Sequence, residues 1–227
     1  MREIMVALLA AASMAGCAGT AQLSADTEAT DFSLNPEAFR SGGIGFLTPI
    51  SATGHEASRT ALALAFASSL SDAREDLRIV SLAEVLSAVN SAGLSAAYKS
   101  MIEDYKATGI MEKERLRQVG EVSDARYLGL LELADFDQAV NKRFSVGGLR
   151  LLDTKLASIR VSWQIWDSDS GTIAWEGTDE IYYAYAPGRE RPVSFGFVAA
   201  QAANNLIAQI PLNEAAPEQT AAIATAR

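Results

Sequence analysis

The sequence has few of the residues that carry covalent cross-links or proton transfer near neutral pH. Its 227 residues include one cysteine and one histidine. A single cysteine excludes an intramolecular disulfide, so stability has to come from packing, for which 49% hydrophobic residues are sufficient. The length fits one domain with flexible ends, because a domain typically holds about 100–200 residues.

Catalytic motifs are missing as well. There is no Gly-x-Ser-x-Gly elbow, no His-Glu-x-x-His helix and no glycine-rich phosphate loop. His55 falls in the first turn of a predicted helix, where the dipole disfavours an imidazolium, so a structural role is favoured. Asp135 and Asp137 keep one alternative open, a carboxylate pair for hydrolysis, although a solvated loop also explains them. The sequence therefore predicts a protein that is not an enzyme and needs no cofactor.

Positive charge is in deficit, since the formal net charge is −9. Nucleic-acid binding is excluded because phosphate recognition needs clustered Lys and Arg, and attraction to anionic head groups is disfavoured for the same reason. The pattern Asp167-x-Asp169-x-Gly171 superficially resembles the start of a calcium loop. Glycine occupies the third ligand position, however, and a hairpin turn explains these residues, so no metal site is predicted.

The N-terminal region does contain a distinct motif. A short apolar run over residues 4–12 leads into Met14, Ala15, Gly16 and Cys17, which is typical of a secretion signal that ends in a lipobox. The run is shorter than the roughly 20 apolar residues of a membrane-spanning helix. We expect residues 1–16 to be removed and Cys17 to carry lipid, with palmitate among its acyl chains. A buried cysteine in an N-terminal helix is the alternative.

The expected location is the periplasmic face of the outer membrane. Ala18 follows the acylated cysteine, whereas an Asp at this position retains lipoproteins in the inner membrane of enterobacteria-like systems. Stable attachment takes more than one acyl chain, and a processed bacterial lipoprotein carries several.

Composition divides the rest of the chain into three parts. Residues 17–43 are small and polar and are predicted to form a flexible tether spanning roughly 25–30 Å, with a docked turn around Phe32 to Phe39 as the alternative. Residues 44–212 show the periodicity of a folded domain. Residues 213–227 are rich in Ala, Glu and Pro and are predicted to be disordered.

Apolar periodicity predicts a single α/β sandwich of the three-layer type, with a mixed sheet of four or five strands flanked by helices. Capping boxes at Thr53 with Glu56 and at Ser81 with Glu84 begin the first two helices, and Gly109 ends a third. Residues 135–155 read as a polar connection. The predicted strands are 44–50, 77–80, 125–133, 156–166 and 172–183, and the predicted helices are 53–73, 81–90, 95–108, 111–120 and 193–210.

Aromatic residues concentrate late in the domain. Trp166, Tyr183 and Tyr185 are assigned to the outward-facing set of their strands and are candidates for an exposed partner-binding patch, with burial in the core as the alternative. Lys142 and Arg143, in the polar connection, are further candidates for partner binding.

Three stretches resemble the lipoprotein superfamily that includes the curli secretion channel and the penicillin-binding-protein activator lipoproteins. They are residues 44–73, residues 105–133 with Val122-Ser123-Asp124-Ala125 before a strand, and residues 159–175 with Asp169-Ser170-Gly171 at a turn. The resemblance covers residues 44–212. It implies a fold similar to the N-terminal domain of the Tol-system translocation protein, no catalytic residues, and action by binding or assembly.

The leading hypothesis is a non-enzymatic outer-membrane lipoprotein. Its domain would bind a periplasmic or envelope protein in envelope assembly, transport or peptidoglycan synthesis. The alternative is a self-assembling, secretion-channel-like ring subunit, a homo-oligomer. A pore is disfavoured because a membrane strand needs roughly 9–11 alternating residues, whereas residues 135–155 are charged and interrupted by glycine.

Overall fold

The computed structural model describes residues 22–51, 55–146, 149–185 and 193–212, with side chains defined except at 139–146, 149–155 and 185. These residues form seven strands, six α-helices and one 3-10 helix, Glu56–Ser58. The strands are β1 (Gln22–Asp31), β2 (Ile44–Phe46), β3 (Ile50–Ser51), β4 (Ile79–Val80), β5 (Tyr127–Val146), β6 (Leu149–Asp167) and β7 (Thr172–Tyr185). The helices are α1 (Pro36–Gly42), α2 (Arg59–Ala73), α3 (Leu82–Ser91), α4 (Ser95–Thr108), α5 (Lys113–Ser123) and α6 (Phe195–Ile207).

All seven strands belong to one mixed sheet in the order β1-β7-β6-β5-β2-β4, with β3 also paired to β5. The four strands from β1 to β5 in this order are antiparallel neighbours, while β2, β3 and β4 join in parallel. The α/β class is confirmed, but the predicted number of four or five strands is too small. One reason is that the predicted strand 44–50 divides into β2 and β3.

Helices cover the sheet from two sides and bury a core on each. Toward α1, α2 and α6, Trp163 is fully buried and packs against Phe46, Phe66 and Trp175, at ring-centroid distances of 5.4 to 6.0 Å. The opposite core packs beneath α3, α4 and α5. It includes Val85, Val89, Met101, Leu116, Val119, Leu128 and Leu130.

Helix ends follow local chemistry where the structure describes them. Ser81 and Glu84 form the predicted capping box, in which the Glu84 carboxylate accepts from the backbone N–H of Ser81 at 2.8 Å. Gly109 ends α4 in the left-handed conformation, at φ 73°. Thr53 lies outside the described residues, and α2 begins later than predicted, at Arg59.

Residues 22–43 form a strand and a helix of the domain, so the flexible tether predicted there is wrong. β1 pairs with β7 along its length, from Gln22 opposite Ala184 to Asp31 opposite Trp175. α1 docks through Phe39, which is fully buried, in agreement with the docked alternative. An edge strand that is exposed on both faces needs no apolar alternation, so its sequence reads as polar linker.

The prediction of a polar connection over residues 135–155 is also wrong. Apart from residues 147 and 148, which lie outside the described residues, they continue β5 and β6 as one long antiparallel pair of strands. A β-bulge at Ala134 shifts the register, so the core-facing set passes from Leu133 to Phe136 instead of to residue 135. Because the bulge shifts the alternation of apolar and polar residues, and because the exposed positions carry charges, the sequence does not show the pattern of a strand here.

The hairpin extends past the other strands as far as the structure describes them. Gln22, the first residue of β1, is level with Ala184, Leu156 and Ala139 through three successive pairings. Beyond that level lie residues 140–146 and 149–155, which we call the hairpin end. The last described residue of β7, Tyr185, lies opposite Lys155.

Candidate functional site

One face of the sheet is covered only in part. Helices α3, α4 and α5 pack on it over β2, β5 and the Trp166 end of β6. Farther along, the outward side chains of β6, β7 and β1 are half-buried or exposed. We call this region the open face. It is defined by Asp26, Glu28, Thr30, Arg160, Ser162, Gln164, Glu176, Thr178, Glu180 and Tyr182.

The open face carries more negative than positive charge. Strand register places Asp26 directly opposite Glu180, although like charges opposite each other on neighbouring strands are destabilising. Arg160 is the basic residue of the face, and its guanidinium donates to the Glu180 carboxylate at 2.8 Å. Glu28 and Glu176 have no such cation beside them on the open face, so the charge of the face is negative overall.

Titration behaviour agrees with this distribution. The hydrogen bond from Arg160 lowers the pKa of Glu180 and the same pair raises the pKa of Arg160. At the border with α4, burial raises the pKa of the Tyr105 phenol, and the charges of Glu132 and Glu176 raise it further. The negative field therefore extends to the edge of the helix layer.

The shape of the open face suits an extended ligand. A shallow depression of about 330 Å³ crosses the three strands β1, β7 and β6. Its floor is backbone and short side chains, because Gly177, Thr178 and Ser162 lie between the longer carboxylates. A segment lying across the face would therefore meet carboxylates at the sides and main chain beneath.

β1 borders the open face and is an edge of the sheet. Within the described residues no strand pairs with its outer edge, and nine of its ten residues are exposed. Such an edge presents unpaired backbone N–H and C=O groups that can accept another strand. β1 itself is 10 residues long, which is enough for a specific pairing.

A buried carboxylate fastens β1 to its neighbours. Asp179 of β7 is 1% exposed and accepts hydrogen bonds from Thr27 Oγ1 at 2.6 Å and from Asn205 Nδ2 at 3.1 Å. Burial raises the pKa of Asp179, while these two hydrogen bonds oppose the rise. One side chain thus joins β1, β7 and α6.

The predicted aromatic patch is wrong for Trp166. Its side chain is 5% exposed, its indole N–H donates to Gln164 Oε1 at 3.2 Å, and its ring meets Tyr105 edge-on at 6.2 Å. Tyr183 is half-buried on the opposite face, 5.5 Å from the ring of Phe197. The side chain of Tyr185 lies outside the described residues.

Tyr182, which the sequence did not single out, is the exposed aromatic residue of the open face, at 52%. Its neighbours Ile181 and Tyr183 face the other way. The inward set of β7 includes Gly177 and Asp179, which are not apolar, and this conceals the alternation that would have assigned Tyr182 outward.

Two other groups of candidate site residues lie partly or wholly outside the described residues. Lys142 and Arg143 lie in the hairpin end, opposite Asp153 and Leu152, and their side chains are outside the described set. Met14, Ala15, Gly16 and Cys17 precede the first described residue, Gln22.

The carboxylate pair considered for hydrolysis is not in a cleft. Asp135 and Asp137 are exposed on β5, the side chain of Asp135 by 63%. His55 Nε2 lies 3.8 Å from Asp135 Oδ1, and the His55 ring meets Phe136 edge-on. His55 thus contacts the base of the projecting hairpin, and among the described residues both carboxylates are open to solvent.

The Asp167–Gly171 segment is a turn, as its residues predict. Asp167 Oδ1 accepts from the backbone N–H groups of Asp169 and Ser170, and Asp167 Oδ2 accepts from Arg126 at 2.9 Å. Gly171 has φ 74°. Both carboxylate oxygens of Asp167 are therefore used within the protein.

No helix in the described ranges has the length and apolar character required to cross a membrane. No protein-family model matches the chain, and no curated protein sequence matches it.

Solved structures give distant matches. The PelC dodecamer of Paraburkholderia phytofirmans aligns at 11% identity and a TM-score of 0.43, over 81% of this chain and 95% of that one. Lipoprotein GNA1162 of Neisseria meningitidis aligns at 11% identity and 0.38, over 74% and 97%. The C-terminal domain of LpoB from Salmonella enterica aligns at 13% and 0.34, over 61% and 82%.

Proposed function

We propose that this protein is a non-enzymatic lipoprotein, anchored through Cys17 at the periplasmic face of the outer membrane, whose domain binds an envelope protein. The assigned role is accessory, in envelope assembly, transport or peptidoglycan synthesis. The lipobox Met14-Ala15-Gly16-Cys17 supports the anchor. The open face, which no helix covers within the described residues, supports partner binding.

The observation that carries the proposal is the position of β1. Only residues 18–21 separate Cys17 from Gln22, the first described residue of β1. At about 3.3–3.6 Å per residue, five steps span at most roughly 18 Å. A lipid on Cys17 therefore holds the domain close to the bilayer rather than on a long tether.

Strand direction supports one orientation. The chain enters β1 at the level of Leu156 and Ala139, which is where the hairpin end begins to project. Seven residues per arm at about 3.3 Å reach roughly 23 Å, similar to the reach of residues 17–22. The hairpin end would thus point toward the same membrane as the lipid.

Composition fits that orientation. The hairpin end contains four basic residues, Lys142, Arg143, Arg150 and Lys155, and a single acidic residue, in a chain of net charge −9. Basic residues beside a lipid anchor strengthen attachment to anionic head groups by about 1 kcal/mol each near the surface. The acidic open face belongs to strands that run away from this end, so it remains available to a periplasmic partner.

The anchor is tested by fractionation. Wild-type protein should be labelled by palmitate and sediment with the outer membrane, and Cys17→Ser should do neither. Recovery of unlabelled wild-type protein in the soluble periplasm would refute the anchor.

Partner binding is tested by crosslinking in intact cells. A photoreactive amino acid in place of Glu28 or Glu176 should capture one discrete envelope protein, which mass spectrometry identifies. The same group in place of Glu103, on the exposed side of α4, is the matched control. Equal capture at all three positions, or none at any, would contradict a partner site on the open face.

A second function, a ring-forming, secretion-channel-like subunit, is favoured by one observation. The continuous β5–β6 hairpin replaces the polar connection that argued against it. Light scattering of the acylated protein in detergent decides between the two, since a ring requires a multiple of the 24.1 kDa chain.

A further inference from the structure

We infer that the partner presents an extended basic segment, which adds to the outer edge of β1 as an extra strand and lays its cationic side chains over the open face. This inference names the partner chemistry of the binding function proposed above and rests on it. Two features of the described residues occur together, the outer edge of β1, with which none of the described strands pairs, and an open face with more carboxylates than basic groups.

The edge supplies the backbone contacts. Among the described residues β1 is the edge strand of the sheet, and nine of its 10 residues are exposed. A segment that adds to a sheet edge gains affinity from main-chain hydrogen bonds and specificity from alternate side chains. β1 is also firmly held, because Thr27 is hydrogen-bonded to the buried Asp179, so an added strand would meet an ordered template.

The face supplies the charge preference. Alternate residues of an added strand would lie on the same side as Asp26, Glu28 and Thr30. The carboxylates of Asp26 and Glu28 are exposed there, and Glu176 and Glu180 continue the charge onto β7. The side chains on that side should therefore be Lys or Arg.

Self-association through the same edge is disfavoured by charge. If two copies paired antiparallel about Thr27, each Asp26 would lie opposite Glu28 of the other copy, by strand register. Like charges directly opposite each other destabilise such a pair. A basic partner relieves both this repulsion and the repulsion between Asp26 and Glu180.

The probe is a decapeptide of alternating Lys and Val, titrated against the full acylated protein in neutral detergent by fluorescence anisotropy. Two matched peptides are compared with it. One replaces every Lys by Glu, and the other keeps the sequence but carries N-methyl groups on alternate residues of the edge that would pair. The first removes charge complementarity, and the second removes main-chain donors without changing charge.

The Lys-Val peptide should bind at least tenfold more tightly than either matched peptide, and its affinity should fall as salt is raised. The double variant Glu28→Lys with Glu176→Lys should lose at least tenfold in affinity. The double variant Glu75→Lys with Glu103→Lys makes the same change in net charge on exposed helical or loop positions and should lose less than threefold. Circular dichroism verifies that both variants are folded.

Equal binding of the N-methylated peptide would overturn strand addition, and equal loss in both double variants would overturn the open face as the site. No binding of the Lys-Val peptide would overturn the inference as a whole. The proposed function fails separately, if Cys17→Ser remains on the membrane or crosslinking finds no partner, because the peptide titration depends on neither.

Discussion

In the proximal half of the β5–β6 hairpin, residues 127–133 with 161–167, β5 is covered on both faces and β6 is buried on one face, whereas in the distal half, residues 135–146 with 149–160, the described side chains on one face of β5 are exposed. In the proximal half Leu128, Leu131 and Trp163 are fully buried. In the distal half Phe136 is half-buried against Phe195, at 5.0 Å between ring centroids, and the neighbouring aspartates are exposed. The same two strands, β5 and β6, thus form part of the buried core at one end and a projecting hairpin at the other. We expect stability to reside in the first half and membrane contact in the second.

The largest effect is expected from Trp163→Ala in the proximal half. Removing a fully buried indole that packs against three aromatic rings leaves a cavity and should cost about 3–5 kcal/mol in the free energy of unfolding. Urea unfolding measures the loss. Tyr182→Ala, which removes an exposed aromatic residue, is the control and should cost less than about 1 kcal/mol. Similar losses in the two variants would remove the distinction between core and surface.

Gly129→Ala tests how tightly the proximal half is packed. A Cβ atom at Gly129 would lie 2.9 Å from Trp163 Nε1 and 3.2 Å from Ile44 Cδ1, inside normal contact distance. Overpacking of this kind costs about 1–3 kcal/mol, measured by the same unfolding experiment. Gly196→Ala is a matched control, because a Cβ there meets nothing within 4 Å and alanine favours the helix. If Gly129→Ala left the free energy of unfolding unchanged, the side chains around Trp163 would be able to move aside without cost.

Asp179→Asn probes a charge within the covered part of the sheet. Since burial raises the pKa of Asp179 above its ordinary 3.8, the folded state binds the proton more tightly than the unfolded state. Wild-type stability should therefore fall as pH rises from about 3.8 through the raised pKa, whereas the amide, which can still accept from Thr27, escapes this loss. Urea unfolding between pH 3 and 7 should show the variant gaining relative to wild type. If the difference in unfolding free energy between Asp179→Asn and wild type did not change with pH, the proposed raised pKa of Asp179 would be contradicted.

The smallest effect on stability is expected from shortening the distal half. Replacing residues 140–155 by Asn-Gly joins Ala139 to Leu156, which are direct cross-strand partners, through a turn suited to such a pair. Unfolding free energy should change by no more than about 1 kcal/mol, because every described residue of the two buried clusters is kept. Flotation of the acylated protein with vesicles containing anionic lipid should weaken, while flotation with neutral vesicles should not. Loss of folding would show that the arms carry stability after all.

The same contrast explains how much the sequence could predict. Strands covered on both faces, such as the run around Leu128 to Leu131, give continuous apolar segments and were identified. Helices with local signals, such as Ser81 with Glu84 and the terminal Gly109, were identified close to their ends. The helix ends depend on residues close together in the chain. The strands covered on both faces give a continuous apolar run, which can be recognised in the sequence without knowing which residues face the core.

The elements that were missed depend on pairing. β1 is ordered by its partner β7 and by Asp179, neither of which is visible in the local sequence of residues 22–31. The distal hairpin is hidden by the extra residue at Ala134, and Tyr182 by polar residues on the inward set of β7. The open face was therefore not predicted as a site, since it exists only once three distant segments lie side by side.

The pairing of β1 with β7 also affects the order in which the parts of the domain fold. Thr27 and Asp179 lie 152 residues apart, so this contact closes a loop that contains two thirds of the 227-residue chain. Contacts of such large sequence separation are expected to form late in folding. During export of the proposed lipoprotein, β1 would emerge before β7 and would stay unpaired at the membrane until β7 had followed. An incompletely folded or truncated chain would then be anchored but would lack a finished β1 edge, so it could not compete with the mature protein for a partner.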